Sequence, residues 1–265
     1  MLGQQRNIKQ QEEAGERMIR LKDILLEVGL SEAFATSKDL QNTIEHLSDK
    51  KRVLLLTTSN RFQIPGEEKD IPKSTQLAQA IEKALGNKAT LIDVPELKIY
   101  PCEGNVSRKD GNSCGLKDAI LESKTKNPSG HHRCWASINN SDDELWKISK
   151  ELFESDAVVF FASIRWGQAN GYYQKLIERL NWIENRHTTL EEDNIVKDIE
   201  AGFICIGQNW NGPEVVKTQK EVHKFYGFKT PEALYWNWQY TEDALDETQE
   251  SYKKSAAEFE KTFKI

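Results

Sequence analysis

The sequence predicts an α/β protein with a doubly wound, mostly parallel, five-stranded sheet and a helical extension at its N-terminus. From Lys51 onward, short β-rich runs alternate with helical patterns four or five times, which is typical of parallel sheets built by right-handed crossovers. Two of the runs, AVVFFAS and GFICIG, are continuously apolar, as strands are when helices cover both faces. Residues 1–50, in contrast, contain no strand-like run.

The N-terminal segment, residues 1–50, is predicted to form two amphipathic helices separated by a break near residues 29–37. Their apolar positions recur at helical spacing and are Met18, Leu21, Leu25 and Val28 in the first helix and Leu40, Ile44 and Leu47 in the second. Two such helices cannot bury a core alone. We therefore expect their apolar faces to lie either on the main domain, residues 51–265, or on another subunit.

The remaining elements follow from apolar runs and from residues that start or stop helices. The predicted strands are VLLLT (53–57), ATLIDV (89–94), AVVFFAS (157–163), GFICIG (202–207) and ALYWNW (233–238). The predicted helices begin at a Ser74 cap and end at Gly86, follow a capping box at residues 141–144, and span residues 171–182 and 243–263. Thr230-Pro231 also fits a helix start and competes there with the last strand. Trp236 and Trp238 alternate on that strand, so one of its faces is expected in the core.

Residues 99–140 interrupt the alternation and are rich in Gly, Asn, Ser and Pro, which predicts a long insertion that is functional or mobile. The cysteines of the chain are Cys102, Cys114 and Cys134 in this insertion and Cys205 in a predicted buried strand. Three widely spaced thiols do not supply the four thiolates of an iron–sulfur cluster, so we expect none. His131 and His132 with Cys134 leave a zinc site open as an alternative to a solvated loop, which is the favoured interpretation.

Charge and composition exclude several classes of function. Lys and Arg total 36 against 42 Asp and Glu, a net charge of −6, which argues against nucleic acid or anionic membrane as a partner. No apolar run approaches the roughly 18 to 20 residues of a membrane span. The first residues also lack the apolar core of a secretory signal. We therefore expect a cytoplasmic protein whose ligands are small molecules.

Ligands of an open α/β sheet bind outside the carboxyl ends of the strands, where the strand order reverses. The first strand is followed by TTSNR (57–61) and, at the start of a helix, by KSTQ (73–76). Hydroxyls, an arginine and helix N-terminal N–H groups suit a phosphate, although an ordinary capped loop has the same composition. The third and fourth strands are followed by IRWGQANG and GQNWNG, amide-rich aromatic turns that suit a flat ring if they are more than turns.

The segment SIRWGQANGYYQKLIERLNW resembles the flavin-edge segment of the flavodoxin-like NAD(P)H-dependent FMN reductases. That segment has a Thr-Pro-x-Tyr-Trp-Gly loop, then a helix bearing a lysine and an Asp-Arg pair. The matching positions are Trp166, Gly167, Lys175, Glu178 and Arg179. TTSNR followed by KSTQLA resembles the phosphate loop of this family, split by residues 62–72, and the resemblance covers about residues 52–212. Two departures are Ala-Ser at residues 162–163 and Arg165 in place of tyrosine. The insertion resembles that of iron–sulfur flavoproteins, without the cluster cysteines.

The resemblance implies a non-covalently bound FMN, NADH or NADPH as co-substrate, and a small electron acceptor such as a quinone. It places Ser59, Arg61, Ser74, Thr75 and Gln76 at the 5′-phosphate, and Ser163, Arg165, Trp166, Gly167, Gln168, Gln208 and Asn209 around the rest of the cofactor. The flavin carries the chemistry, so no catalytic side chain and no metal are expected. Relatives of this kind form homodimers or homotetramers, and the N-terminal helices would suit such an interface.

Two further functions are compatible with the sequence. A flavodoxin-type electron carrier would bind FMN without turning over a substrate. A cofactor-free assembly protein of the same fold would result if Arg165 pointed to solvent or blocked the site. Trp135, Trp166 and Trp210 lie in predicted loops and are candidates to line a pocket for a flat acceptor, with core packing as the alternative for each.

Overall fold

The structure is a computed structural model that describes residues 2–60, 65–67, 70–105, 112–207, 211–238 and 261, with side chains from residue 15 onward. Its described residues form one six-stranded sheet. The strands are β1 (Val53–Thr57), β2 (Ala89–Asp93), β3 (Ala157–Arg165), β4 (Gln168–Ala169), β5 (Glu200–Ile206) and β6 (Tyr235–Trp238).

The long strands of the sheet are parallel and lie in the order β2-β1-β3-β5-β6, while β4 pairs antiparallel with the end of β3. Counted without β4, the parallel strands follow the order 2-1-3-4-5, which is the flavodoxin-like doubly wound order. The predicted fold class is therefore confirmed. The strand order reverses between β1 and β3, so the carboxyl ends of these two strands form the switch point.

All five predicted runs form strands, with small differences at their ends. β3 continues past Ser163 because Ile164 and Arg165 pair with the residues of β4. β6 begins at Tyr235, because a 3-10 turn, Glu232–Leu234, precedes it. Thr230-Pro231 therefore does not start an α-helix. Every residue of β1 and most of β3 are buried, in agreement with their continuously apolar sequences.

Helices pack on both faces of this sheet. They are α1 (Leu2–Glu27), α2 (Lys38–Ser48), α3 (Lys73–Leu85), α4 (Trp135–Asn139), α5 (Leu145–Leu152), α6 (Gly171–Arg179), α7 (Asn181–Thr188) and α8 (Gly212–Phe225). None of the described helices combines the length and the apolar character needed to cross a membrane. The helix predicted over residues 243–263 lies outside the described residues except for Lys261.

Three helix boundaries differ from their predictions. Pro72, and not Ser74, occupies the N-cap of α3, although Gly86 ends this helix with a φ of +62° as expected. The capping box at residues 141–144 is wrong: Glu144 occupies the N-cap of α5 without a side-chain hydrogen bond. The single helix predicted over residues 171–182 is interrupted at Leu180, which separates α6 from α7.

The N-terminal extension packs on the sheet of its own chain. Phe34, in the 3-10 turn between α1 and α2, stacks on Trp238 with ring centroids 4.2 Å apart. Thr43 Oγ1 accepts a hydrogen bond from Trp236 Nε1 at 2.9 Å and donates one to the Ala233 carbonyl at 2.7 Å. Tyr235, the neighbour of Trp236 in β6, faces the opposite side of the sheet. There its hydroxyl forms a hydrogen bond with His223 Nδ1 of α8. The extension therefore covers the face of β6 opposite α8, and both tryptophans belong to the core as predicted.

The described part of the insertion is partly packed against the domain, although residues 122–125 and 128–130 are exposed. Arg179, at the end of α6, forms a fully buried ion pair with Asp143, with Nη1–Oδ1 and Nη2–Oδ2 distances of 2.7 and 2.9 Å. Arg179 also donates to the Tyr100 carbonyl at 2.6 Å and to Ser137 Oγ at 3.0 Å. Burial alone would raise the pKa of Asp143, but the hydrogen bonds and charge of Arg179 outweigh it and hold that pKa below its usual value.

Candidate functional site

Three loops meet at the carboxyl edge of the sheet, as the topology requires. Asn170, which follows β4, donates through Nδ2 to Thr58 Oγ1 at 3.1 Å and to Ser163 Oγ at 3.4 Å, and so joins the ends of β1 and β3. Asn211, after β5, donates through Nδ2 to the Gly167 carbonyl at 2.9 Å. These contacts fix the loops after β1, β3 and β5 relative to one another at the switch point.

Four of the residues predicted to hold a phosphate carry buried polar atoms that have no partner in the described part of the chain. Ser59 follows β1, whereas Ser74 and Thr75 lie in the first turn of α3, and their exposed fractions are only 4%, 2% and 6%. The side-chain atoms Ser59 Oγ, Ser74 Oγ, Thr75 Oγ1 and Gln76 Oε1 have no hydrogen-bond partner among the described residues. A buried polar group without a partner costs about 1–3 kcal/mol. Such a cluster indicates a ligand that supplies the missing partners.

The first turn of α3 has the electrostatics of an anion site. Its N-cap, Pro72, makes no side-chain hydrogen bond to the helix, and the turn carries no acidic residue. The first N–H groups of a helix have no intrahelical acceptor and give this end a partial positive charge. Hydroxyl donors beside such a helix end form a cradle for a phosphate group. This arrangement fits a phosphate group.

The N-terminal extension borders this cradle. Gly29, just after α1, adopts a φ of +79°, and a Cβ there would lie 2.8 Å from Gln76 Nε2. Lys73 Nζ donates to the Gly29 carbonyl at 3.1 Å. Only glycine fits this turn without displacing the Gln76 amide. The extension therefore helps to position Gln76 and Lys73 at the start of α3.

The loop after β3 is a tight hairpin with an aromatic tip. Arg165 pairs with Gln168 across it, and both are exposed. At the tip, Trp166 and Gly167 both have left-handed backbones, with φ values of 51° and 71°. This conformation costs a bulky L-residue about 1–2 kcal/mol, and the Trp166 side chain is nevertheless 81% exposed. Arg165 and Gln168 are exposed beyond the carboxyl end of β3, while Gly167 is buried within the hairpin, and their contact with a ring stays a prediction.

The loop after β5 is described at Gly207 and from Asn211 onward. Asn211 has a φ of 77° and precedes α8, and a Cβ on Gly212 would lie 2.3 Å from Asn237 Oδ1. Glycine is therefore required where α8 starts beside β6. Gln208 and Asn209, predicted to border the flavin ring, lie outside the described residues, as does Arg61 of the predicted phosphate loop. These three residues stay predictions.

Sequence reasoning missed Asn170 and Thr58, which hold the switch point together. Asn170 also caps α6, because its Oδ1 accepts the Tyr173 N–H at 3.2 Å. An asparagine directly before the predicted helix start at Gly171 was a detectable N-cap signal. The bond to Thr58, 112 residues away in sequence, had no comparable local signal.

The cysteines and histidines of the insertion form structural contacts. Cys114 and Cys134 are buried, and Cys134 Sγ accepts a hydrogen bond from Arg179 Nη2 at 3.6 Å. His132 is bonded through both ring nitrogens, to Ser149 Oγ at 2.7 Å and to Ser137 Oγ at 2.9 Å, and burial together with the charge of Arg179 lowers its pKa to about 4. In the part of the chain that the structure describes, no group of three or more His, Cys, Asp or Glu residues is arranged to hold a metal.

No protein-family model matches the chain, and no curated protein matches its sequence. Several solved structures do match. RosB with bound 8-demethyl-8-formylriboflavin-5′-phosphate is 14% identical over 77% of this chain and 74% of RosB, with a TM-score of 0.48. An azoreductase from Bacillus anthracis str. Sterne is 14% identical over 80% of this chain and 98% of its own, with a TM-score of 0.41. The Trp repressor binding protein from Bacillus subtilis is 14% identical over 77% and 97%, with a TM-score of 0.40. Similarity at this level carries no conclusion about activity.

Proposed function

We propose that the chain is an FMN-dependent NAD(P)H oxidoreductase that reduces a small acceptor such as a quinone. The observation that carries this proposal is the set of buried, unsatisfied hydroxyls of Ser59, Ser74 and Thr75 at the start of α3. They lie at the switch point of a flavodoxin-like sheet, where folds of this order bind FMN. A cofactor-free assembly protein would have no use for these buried donors.

The residues present fit a phosphate monoester in number and chemistry. The three hydroxyls can each donate one hydrogen bond, and the N-terminus of α3 adds backbone N–H donors. Gln76 can add a donor only through Nε2, because its unpartnered Oε1 is an acceptor, and Arg61 is proposed to add a charge. Hydrogen bonds to a charged oxygen are worth about 1.5–3 kcal/mol each. This cradle would therefore hold the 5′-phosphate and anchor the cofactor.

The other two loops would border the ring system. Ser163, Arg165, Trp166, Gly167 and Gln168 from the β3–β4 hairpin, with Gln208 and Asn209, are the proposed contacts. A bound flavin would supply the redox chemistry, taking hydride from a nicotinamide and passing electrons to the acceptor. The protein's part is to orient the ring and both substrates. Asn170 and Asn211 contribute indirectly, because they fix the hairpin relative to the cradle.

We also propose that residues 51–265 form the flavin-binding unit, with residues 1–50 as its extension, and that the protein acts as a homodimer or homotetramer. Ile19 and Leu26 on α1 remain 63% and 57% exposed. They are seven residues apart and so share one helical face, which offers a surface for a second copy. The test is the molar mass in solution, measured by light scattering during gel filtration. The wild type is compared with an Ile19→Lys/Leu26→Lys variant. A monomeric wild type would refute this assembly.

The experiment for the main proposal is an absorption spectrum of the purified protein, repeated after FMN addition and desalting. Flavin bands retained with the protein are expected, followed by their bleaching under NADH or NADPH in the absence of oxygen. Steady NAD(P)H consumption with a quinone would distinguish the reductase from an electron carrier. A protein that stays colourless after FMN addition would refute the proposal.

A further inference from the structure

Trp166 combines two local features that folding alone does not explain. Its backbone is left-handed, and its side chain is the most exposed of the large apolar residues that the structure describes, at 81%. Within the described residues, the indole makes no hydrogen bond and no ring contact. Asparagine or glycine would adopt the same backbone more readily. A residue that breaks a local rule without an intramolecular gain is a candidate for contact with a ligand.

The backbone of the hairpin that carries this indole is held by several contacts. Ile164 pairs with Ala169, Arg165 pairs with Gln168, and the Gly167 carbonyl accepts the hydrogen bond from Asn211. The backbone on both sides of the tip is therefore held by the sheet and by the loop after β5. The backbone that carries the indole is therefore fixed at this position.

The β3–β4 hairpin lies at the same edge of the sheet as the phosphate cradle. Trp166 follows Ser163 by three residues, a distance of about 10 Å along an extended strand. Ser163 is joined through Asn170 to Thr58, which directly precedes Ser59 of the cradle. A substrate that reaches the site from solvent therefore meets the indole at the site's border.

We propose that Trp166 is a specificity-determining residue that stacks on the ring of a flat, electron-poor aromatic acceptor, the class to which quinones belong. This inference rests on the proposed function and deepens it. The face of an indole is electron-rich, so it favours an electron-poor ring over an aliphatic or inorganic acceptor. Trp135 does not share this role, because its indole N–H is bonded to the Ser113 carbonyl inside the insertion at 2.8 Å.

A second copy of the chain is a poorer occupant of this surface than a small ring. The residues on both sides of the tip, Arg165 and Gln168, are polar and exposed. A stable protein–protein interface buries about 800 Å² on each partner around a largely apolar core, whereas the exposed apolar surface at this tip is one indole. A single indole between polar neighbours matches the contact area of one flat ring.

The test compares the FMN-loaded wild type with Trp166→Asn and Trp166→Phe, using a water-soluble quinone and ferricyanide as acceptors. For Trp166→Asn we expect the KM for the quinone to rise about tenfold relative to the KM for ferricyanide, a change of about 1.4 kcal/mol. Trp166→Phe should recover most of the quinone KM. Phe225→Ala, which removes another exposed aromatic side chain far along α8, should leave both KM values unchanged.

A stability measurement separates this role from a structural one. Trp166→Asn should melt at or above the wild-type temperature, because asparagine relieves the left-handed backbone. Equal KM changes for the two acceptors, a marked fall in melting temperature, or dissociation of an oligomer on substitution would each overturn the inference. If the wild type oxidises NAD(P)H with ferricyanide but the variant's quinone KM is unchanged, the inference alone fails. If the wild type uses neither acceptor, the proposed function fails and the inference falls with it.

Discussion

Thr75→Val should stabilise the cofactor-free protein and weaken FMN binding at the same time. The Thr75 side chain is 6% exposed and its Oγ1 has no partner in the described part of the chain. Valine has the same shape and nearly the same helix propensity, so the substitution removes only the hydroxyl. Relieving one unsatisfied buried group is worth about 1–3 kcal/mol. Losing one hydrogen bond to a phosphate should raise the Kd for FMN about 10- to 100-fold.

Thr43→Val is the matched control, because Thr43 is fully buried but its hydroxyl bonds Ala233 and Trp236. This variant should lose about 1–3 kcal/mol of stability and keep the wild-type Kd. Urea unfolding of the apoproteins gives the free energies, and titration calorimetry gives the Kd for FMN. A Thr75→Val protein that is less stable than wild type and binds FMN equally well would refute the reasoning, since the hydroxyl would then be a structural contact.

Three further predictions concern the packing of the fold and the charge at the hairpin. Asp143→Asn should lower the free energy of unfolding by about 3–5 kcal/mol, because it leaves the buried Arg179 charge without its charged partner. The folded pKa of Asp143 is depressed, so its contribution to stability is present above the unfolded pKa of about 3.9 and is lost as the pH falls towards the folded pKa. Urea unfolding between pH 3 and 7 should show a larger loss of stability on acidification in the wild type than in the variant, which keeps the other carboxylates with lowered pKa values, Asp156 and Glu200 among them. Phe34→Ala should lower the free energy of unfolding by about 3–5 kcal/mol, because it removes the ring stacked on Trp238. Thermal unfolding measures this loss, and a smaller loss would mean that the extension is not part of the cooperative core. Arg165→Ala should lower the midpoint potential of the bound flavin by about a few tens of millivolts, since an exposed charge acts through a high dielectric; an unchanged midpoint in a spectroelectrochemical titration would show that the guanidinium lies away from the ring.

The sheet was predictable from sequence because its strands are short, apolar and bounded by turn residues. Once strands and helices alternate, right-handed crossovers bring the carboxyl ends together, so the loops after β1, β3 and β5 were expected at one edge before any contact was known. The phosphate site at Ser59, Ser74 and Thr75 was proposed from their residue type and their place beside a helix start, and it stays a prediction.

Two of the errors share a physical cause, which is competition from partners that are distant in sequence. The capping box failed because the Glu144 carboxylate accepts the Lys98 N–H, 46 residues back along the chain, instead of the Ser141 N–H. The packed part of the insertion was not expected, because neither the buried pair of Asp143 and Arg179 nor the bonds of His132 to Ser137 and Ser149 leave a periodic signal. Ser74 was predicted to cap α3, but Pro72 fixes the start of the helix and leaves the Ser74 hydroxyl without a partner among the described residues.

The most direct test of the central claim is the ratio of the dissociation constants of riboflavin and FMN, measured by calorimetry on the cofactor-free protein. The two molecules share the isoalloxazine ring and differ only by the phosphate that the cradle is proposed to hold. Two hydrogen bonds to the phosphate would account for about 3 kcal/mol or more, which is a ratio of at least about 100 in favour of FMN. Equal affinities for the two molecules would contradict the account.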